Sequence, residues 1–273
     1  MHYVSHAPCP PLNEFVDRLW LCADGRSDRK ERILPSGTIE LVINLWDDEI
    51  RIYNPAGLHC HLFSSAVVSG PYASGFVIDG AQHALILGVH FKPGGAFPFL
   101  GVPACELADA HLDLATLWGP AADELREKLC GANTPQERFR MLDEALTVRL
   151  RSSQKRHAAV PIALDAFKQT SVVPSVPSVA RRVGLSHRRF IQVFANEVGL
   201  TPKLYCRVLR FQRARALARQ AKTPDWAKLA VGCGYYDQSH LIRDFQEFSG
   251  ASPAEHLRQQ SENLLTNHER FVK

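Results

Sequence analysis

The sequence predicts an α+β protein in two parts: a β-rich, barrel-like N-terminal domain that also carries helices, and an all-α C-terminal domain with two helix-turn-helix units joined by a long helix. Three observations support this prediction. Short β-rich runs give way to helical patterns, the net charge reverses near the middle of the chain, and the second half contains an internal repeat. The 273 residues suffice for two domains that each bury a core. We expect these domains at residues 1–152 and 158–262, with a polar, basic linker around 151–157.

The composition is that of an ordinary globular protein and excludes several classes. With 45% hydrophobic and 22% charged residues, the chain is neither a disordered polymer nor a fibrous rod. Seven cysteines without a Cys-x-x-Cys pair argue against a disulfide framework. The opening residues lack the pattern of a secretory signal, so we expect a cytoplasmic protein. Because no apolar stretch approaches the roughly 20 residues of a membrane helix, we expect no membrane partner.

The first hundred residues contain the β-rich runs. The turn-forming segments Pro35-Ser36-Gly37, Asn54-Pro55 and Gly94-Gly95 punctuate these runs, which is typical of a small sheet or barrel. The runs are IELVINL at 39–45, EIRIY at 49–53, SSAVVSG at 64–70 and HALILGVHF at 83–91. From Pro103 onward the strand pattern stops. Amphipathic helices are expected over Pro120–Leu129 and Pro135–Leu150, each with proline at its start.

The charge is distributed unevenly along the chain. Residues 1–150 carry 12 Lys and Arg against 19 Asp and Glu, a balance of −7. Residues 151–273 carry 20 Lys and Arg against 9 Asp and Glu, a balance of +11. This asymmetry indicates that the C-terminal part meets a polyanion, with a solvated basic surface as the alternative.

The second half of the chain repeats itself. Ala180 and Gly184 recur 50 residues later as Ala230 and Gly234. Further pairs recur at an offset of 51: Phe194 and Phe245, Gly199 and Gly250, Pro202 and Pro253, Arg207 and Arg258. Each copy predicts a short helix, a turn with glycine, a second helix, and Gly-x-[Ser/Thr]-Pro at the start of a third helix. The change of offset indicates one extra residue in the second copy, which we place in its turn.

The second helix of each copy is the predicted reading element. Ser186 and Asp237 are the expected N-caps, and apolar residues such as Phe190 and Leu241 face the core. Arg and Gln side chains on the opposite face suit guanine and adenine edges in the DNA major groove. The candidates are Arg188, Arg189 and Gln192 in the first copy and Gln238, Ser239 and Arg243 in the second. A helix from residue 202 to about 219, roughly 27 Å long, would hold the copies about one DNA turn apart.

Further basic side chains lie outside the predicted set of base readers. Four arginines are either phosphate contacts or solvated helix residues: Arg181, Arg182, Arg213 and Arg215. His240 directly precedes the core residue Leu241, so we assign it to capping or packing rather than to base reading.

Residues 160–260 resemble the DNA-binding domain of AraC/XylS-type transcriptional regulators. The family commonly reads Gly-Phe-x-Asp-Gln-Ser-His-Phe-x-Arg-x-Phe and then Gly-x-[Ser/Thr]-Pro. The second copy here reads Gly234-Tyr-Tyr-Asp-Gln-Ser-His-Leu-Ile-Arg-Asp-Phe245 and then Gly250-Ala-Ser-Pro253. The resemblance implies seven helices, two of them recognition helices, with base contacts by Arg188, Gln192, Gln238, Ser239 and Arg243. Departures from the family pattern at Trp226, Leu241 and Glu247 concern affinity more than fold.

The N-terminal half resembles the β-rich domain of one AraC-type subgroup through three short motifs. These motifs are Pro35-Ser-Gly-Thr-Ile-Glu-Leu-Val-Ile-Asn44, Val67-Val-Ser-Gly-Pro71 and Phe91-Lys-Pro-Gly-Gly-Ala96. This resemblance implies a domain that senses a small-molecule effector or forms a homodimer. For the whole chain, the resemblance implies a transcription regulator with double-stranded DNA as its partner, which contacts RNA polymerase when it acts as an activator.

An N-terminal metal-dependent sensor or enzyme domain, with the helical part as a targeting module, is the alternative. It depends on His59-Cys60-His61, in a possible strand where alternation puts both histidines on one face. Cys9, Cys22 and Cys105 lack the tight spacing of a zinc site, and no catalytic Ser/His/Asp or paired-carboxylate pattern stands out. We therefore expect surface histidines, no metal, no cofactor and no enzymatic activity.

Overall fold

The computed structural model describes residues 2–27, 30–151, 156–168, 174–221 and 223–262. The described strands are β1 (His2–His6), β2 (Val16–Ala23), β3 (Lys30–Ile33), β4 (Glu40–Asn44), β5 (Glu49–Tyr53), β6 (Cys60–Ser64), β7 (Ala66–Ser69), β8 (Phe76–Asp79), β9 (Leu85–Phe91) and β10 (His111–Asp113). The described α-helices are α1 (Phe97–Leu100), α2 (Leu114–Trp118), α3 (Ala121–Gly131), α4 (Pro135–Arg151), α5 (Ala159–Lys168), α6 (Val176–Arg182), α7 (His187–Val198), α8 (Pro202–Gln220), α9 (Trp226–Gly232), α10 (Gln238–Ser249) and α11 (Pro253–Glu262). Most of the expected linker, residues 152–155, lies outside the described residues. Among the described helices, none combines the length and the apolar character that crossing a membrane requires.

The strands form two antiparallel sheets. The larger sheet has the strand order β1-β2-β9-β4-β7-β10, and the smaller has the order β3-β8-β5-β6. The predicted β-rich character of this half is confirmed. The expected barrel is instead a pair of open sheets, because no ladder between described strands joins one sheet to the other.

Most predicted elements are present. The four β-rich runs form β4, β5, β7 and β9, and the two expected helices form α3 and α4. The prediction that strands stop at Pro103 is wrong, because His111–Asp113 forms β10 and pairs with β7. Three residues are too few to show a strand periodicity, and the partner of His111 in the ladder is Ser69, which is 42 positions earlier. A contact so distant in sequence leaves no local signal.

The larger sheet buries one face against helices. Leu19, Leu41, Leu87 and Val89 lie on this face and are at most 1% exposed. Helices α1–α4 cover them with residues that include Phe99, Leu125, Leu129, Leu142 and Leu146. The side chains that alternate with this set, among them Trp20, Val42 and Val67, lie on the opposite face, which we call the inner face.

The C-terminal part consists of α5–α11 packed around an aromatic core, which confirms the predicted all-α character. The ring centroid of Phe194 lies 5.6 Å from that of Tyr205. The ring centroid of Phe211 lies 4.9 Å from that of Phe245 and 5.2 Å from that of Phe248. All five side chains are fully buried. Seven described helices in this part agree with the number that the family resemblance implies.

The N-terminal and C-terminal parts are in direct contact. The Cys105 thiol donates to the side-chain oxygen of Asn196 at 3.4 Å, and the Gln212 carboxamide donates to the carbonyl of Pro35. Gly199 lies so close to Pro71 that a Cβ atom added there would be 2.3 Å from the proline ring. The N-terminal part therefore rests on the C-terminal end of α7 and on α8.

Gly88 leaves space for the indole ring of Trp20 on the inner face of the larger sheet. The need for a glycine at this position can be tested by substitution. A Cβ atom at Gly88 would lie 2.1 Å from the ring of Trp20. We expect Gly88→Ala to lower the free energy of unfolding by about 1–3 kcal/mol, because the indole must move within a packed interior. Urea unfolding followed by tryptophan fluorescence measures this loss.

Gly131→Ala is the matched control for Gly88→Ala. A Cβ atom at Gly131 meets no atom within 4 Å, so we expect a change of about 0.5 kcal/mol or less. Equal stability of the two variants would contradict the proposed role of Gly88.

Candidate nucleic-acid interface

The first helix-turn-helix unit consists of α6, a four-residue connection at 183–186, and α7. Gly184 adopts a φ angle of +71°, which a residue with a side chain rarely adopts. The backbone N–H of Leu185 donates to the carbonyl of Ala180 at 3.0 Å and closes the turn. Ser186 caps α7, because its hydroxyl accepts a hydrogen bond from the backbone N–H of Arg189 at 3.3 Å.

Helix α7 has a buried face and an exposed face. Phe190, Val193 and Phe194 pack into the aromatic core. On the other face, the side chains of Arg188, Arg189 and Gln192 are all exposed. The Arg189 guanidinium donates to the side-chain oxygen of Gln192 at 2.9 Å. The structure therefore brings the three sequence-predicted residues of the first unit together on one solvent-facing surface.

The second unit repeats this construction with α9 and α10. Gly234 adopts a φ angle of +82°, and the backbone N–H of Tyr235 donates to the carbonyl of Ala230 at 3.0 Å. Asp237 caps α10 by accepting from the backbone N–H of His240 at 2.7 Å. The predicted N-cap is therefore confirmed. The hydrogen bonds that close the two turns are 50 positions apart in the chain, whereas the two N-caps are 51 positions apart. The predicted extra residue in the second turn is confirmed by this difference.

The exposed face of α10 carries the second set of predicted residues. Gln238, Ser239 and Arg243 are exposed, whereas Leu241 is buried. His240 is half-buried, and its ring lies edge-on to Tyr235 at 5.2 Å. This contact agrees with a packing role for His240.

Helix α8 connects the two units. It contains 19 residues and is therefore about 28 Å long. Thr201 caps its first turn by accepting from the backbone N–H of Leu204 at 3.3 Å.

Arg207 on α8 fixes α10 through two carboxylates. Its guanidinium donates to Asp244 at 2.7 Å and to Glu247 at 3.0 Å. The carboxylate of Asp244 is almost fully buried, and hydrogen bonds to both carboxylates raise the pKa of Arg207. Glu247, a departure from the family pattern, thus has a structural partner in this chain.

The four arginines that the sequence offered as phosphate contacts or solvated residues fall into two groups. Arg181 and Arg182, in the last turn of α6, are exposed. Arg213 and Arg215 on α8 are half-buried, and Arg215 lies 6.0 Å from the ring centroid of Phe211. A role in phosphate contact is therefore sterically open to the first pair.

A row of five polar side chains crosses the inner face of the larger sheet. The ladder places Arg18 beside His90, His90 beside Glu40, Glu40 beside Ser69, and Ser69 beside His111. We call these five residues the polar row. Its members are buried or half-buried. Sequence reasoning missed the row because it placed no strand at β2 or β10.

Hydrogen bonds and aromatic rings surround the polar row. The Trp20 indole N–H donates to Glu40 at 2.9 Å, and the Ser69 hydroxyl lies 3.0 Å from Nδ1 of His111. The rings of Tyr72 and Phe76 lie 4.7 Å and 4.6 Å from that of His111. Burial lowers the pKa of His111 to about 3, so its imidazole is neutral near pH 7.

The histidines considered as metal ligands lie at the edge of the smaller sheet. His59 and His61 are exposed, and His61 pairs with Ile52 in the β5–β6 ladder. Within the described ranges, no group of three or more His, Cys, Asp or Glu side chains is placed to hold a metal ion.

Two family models match this chain. One, described as a helix-turn-helix domain, matches residues 179–259. The other, described as a domain of unknown function (DUF6597), matches residues 4–113. A curated relative, a probable thc operon regulatory protein of Rhodococcus erythropolis, is 29% identical over 102 residues. The match covers 36% of this chain and 31% of the relative, so it spans about a third of that protein's length.

Two solved structures of regulators are similar to this chain at low sequence identity. A transcriptional regulator with an AraC-type DNA-binding domain from Chromobacterium violaceum is 23% identical, with a TM-score of 0.35 over 38% of this chain and 93% of that chain. ToxT from Vibrio cholerae, solved with an unsaturated fatty acid bound, is 9% identical, with a TM-score of 0.47 over 91% of this chain and 96% of that chain.

The paired units and their connecting helix define a tandem helix-turn-helix domain, in agreement with the matched family model. The chain joins this helix-turn-helix domain, matched over residues 179–259, to a domain of unknown function, matched over residues 4–113.

The contact between Arg207 and its two carboxylates predicts unequal losses of stability. Arg207→Ala leaves the buried Asp244 carboxylate unpaired, so we expect the free energy of unfolding to fall by about 3 kcal/mol. Glu247→Ala removes a half-exposed partner and should cost about 1 kcal/mol or less. Chemical denaturation of the two variants beside the wild type measures both values. Similar losses in both variants would rule out the buried pair as the main contributor.

Proposed function

We propose that the protein is a sequence-specific DNA-binding regulator of transcription. In this proposal α7 and α10 enter successive major grooves on one face of the DNA, and phosphate contacts fix their register. No enzymatic step is part of the proposal. A protein with this role works in the compartment that holds the DNA, which we take to be the cytoplasm.

The observation that carries the proposal is the repeated exposure of equivalent positions in two separate units. Arg188 and Ser239 occupy the second position of their helices, and Gln192 and Arg243 occupy the sixth. All four side chains are exposed, although their helices are otherwise anchored by buried aromatic residues. Arg and Gln at such positions can donate to and accept from base edges. We propose Arg188, Arg189 and Gln192, with Gln238, Ser239 and Arg243, as the DNA-contacting set.

The position of the N-terminal part is compatible with this role. Its contacts fall on Asn196 and Gly199 at the C-terminal end of α7, on α8, and on Phe248 near the C-terminal end of α10. The proposed reading residues lie within the first six positions of α7 and α10, and they stay exposed in the full chain. We propose a functional division into residues 1–152 and 158–262.

Base readers and phosphate contacts should respond differently to substitution. An operator is first selected from random duplexes with the full chain. We expect Arg188→Ala and Arg243→Ala each to weaken the free energy of binding to that operator by about 1–3 kcal/mol. Each substitution should also relax the sequence preference at the base pair that the arginine reads. Arg182→Ala, at a candidate phosphate contact, should weaken binding on all sequences and lower the salt slope by about 1.

Arg140→Ala is the matched control for these DNA-binding variants. Arg140 is exposed on α4 and pairs with Glu144, so its removal should leave DNA affinity unchanged. Fluorescence anisotropy at several salt concentrations gives each affinity and slope. Absent or salt-insensitive binding by the wild type would refute the proposed function.

We further propose that the N-terminal domain receives a small-molecule effector at the polar row. A few convergent polar groups beside aromatic rings are typical of small-molecule sites. Glu40 can accept and Ser69 can donate or accept a hydrogen bond, and the buried rings of Trp20 and Tyr72 and the half-buried ring of Phe76 line the row. Homodimer formation and contact with RNA polymerase complete the proposed regulator.

The effector proposal predicts a coupled loss in one variant. A compound from a metabolite library that raises the melting temperature and changes operator affinity should lose both effects in Glu40→Gln, because the carboxylate that binds it is neutralised. Glu106→Gln, at an exposed position, is the matched control and should respond like the wild type. Thermal shift and anisotropy measure the two effects. An unchanged response in Glu40→Gln would exclude the polar row.

A further inference from the structure

The turn of the second unit contains one residue that the first unit lacks, and the hydrogen bonds identify it. Leu185 and Tyr235 are equivalent, because each donates its backbone N–H to a carbonyl on the preceding helix at 3.0 Å. Ser186 and Asp237 are equivalent, because each caps the following helix. Nothing separates Leu185 from Ser186, whereas Tyr236 separates Tyr235 from Asp237. Tyr236 is therefore the inserted residue.

Tyr236 contributes little to the packing of the domain. Its side chain is 91% exposed, the highest value among the large exposed hydrophobic side chains of the described residues. The residue before an N-cap often packs against the fourth residue of the helix. In the first unit the residue before the cap is Leu185, which is half-buried. In the second unit the buried Tyr235 joins the core instead. The side chain of the inserted Tyr236 is therefore left in solvent.

Tyr236 lies beside the proposed reading residues of α10. It directly precedes the cap of α10, and the exposed Gln238 and Ser239 follow within three residues. In a helix-turn-helix protein the N-terminal residues of the recognition helix contact base edges. If α10 enters the major groove as proposed, a side chain just outside that end comes close to the sugar–phosphate backbone at the rim of the groove. Tyrosine is among the residues that donate to phosphate oxygens.

We propose that Tyr236 contacts the DNA backbone at the second half-site, with its phenol hydroxyl donating to a phosphate oxygen. This inference rests on the proposed function and adds a positioning residue that sequence reasoning did not include. The contact has no counterpart at the first turn, where Leu185 is packed inward. The two units therefore hold the DNA unequally, and the second unit carries a neutral, uncharged phosphate contact in addition to its reading residues.

The test compares Tyr236→Phe and Tyr236→Ala with the wild-type full chain, on the selected operator and on a scrambled duplex. We expect each variant to bind about tenfold more weakly on both duplexes, because a phosphate contact carries no sequence information. The salt slope should stay unchanged, because a neutral donor releases no counterion. Val148→Ala, at a position on α4 that is 67% exposed, is the control and should bind like the wild type.

Several outcomes would overturn the inference. Wild-type affinity in Tyr236→Ala would exclude any contact, and wild-type affinity in Tyr236→Phe would exclude the hydroxyl donor. A loss confined to the operator would indicate base reading instead. Melting temperatures of all variants show that the chains remain folded. If the wild type binds neither duplex, the proposed function itself is refuted. If the wild type binds and a Tyr236 variant binds equally well, only the inference about Tyr236 is refuted.

Discussion

Helix α8 holds both helix-turn-helix units through one aromatic core, and the orientation of both proposed reading helices depends on it. Tyr205 near its start contacts Phe194 of α7, and Phe211 near its middle contacts Phe245 of α10. These side chains are fully buried, so neither unit can rotate on α8 without opening the core. The helix is about 28 Å long, which is near the length of one DNA turn. Its length sets the separation of the units, and its buried face sets their directions.

The N-terminal domain adds a second constraint on α8 and on the two units packed against it. Gly37 lies against the ring of Tyr205, and a Cβ atom there would come within 3.1 Å of it. Gly75 lies near the carbonyl oxygen of Phe248, at the end of α10. Together with the contact between Pro71 and Gly199, these approaches reach both units and the helix between them. The N-terminal domain is therefore positioned to affect the relative geometry of the two units rather than to cover their exposed faces.

Sequence patterns predicted the C-terminal part more completely than the N-terminal part. Ser186, Asp237 and Gly184 act through bonds to residues a few positions away, so their roles were visible in the chain itself. The larger sheet depends instead on pairings such as that of β2 with β9, between residues about seventy positions apart. The polar row follows from such pairings alone, because Arg18, His90 and Glu40 become neighbours only when three strands align. The exposure of Tyr236 likewise needed the structure, because its neighbour Tyr235 is chemically identical and buried.

The polar row and the contacts with the C-terminal domain share two segments of chain. Glu40 begins β4, and Gly37, which touches Tyr205, lies three residues before it. Ser69 ends β7, and Pro71, which touches Gly199, lies two residues after it. A ligand that moved either strand end would therefore displace a contact on α8 or on the end of α7. The polar row and these contacts are only two or three residues apart in the chain, so few residues would have to transmit the movement. Coupling requires that the ligand bind one arrangement of these segments better than another. The close approach at Gly199 and Pro71 makes such arrangements discrete, since the packed atoms leave little space for a gradual shift.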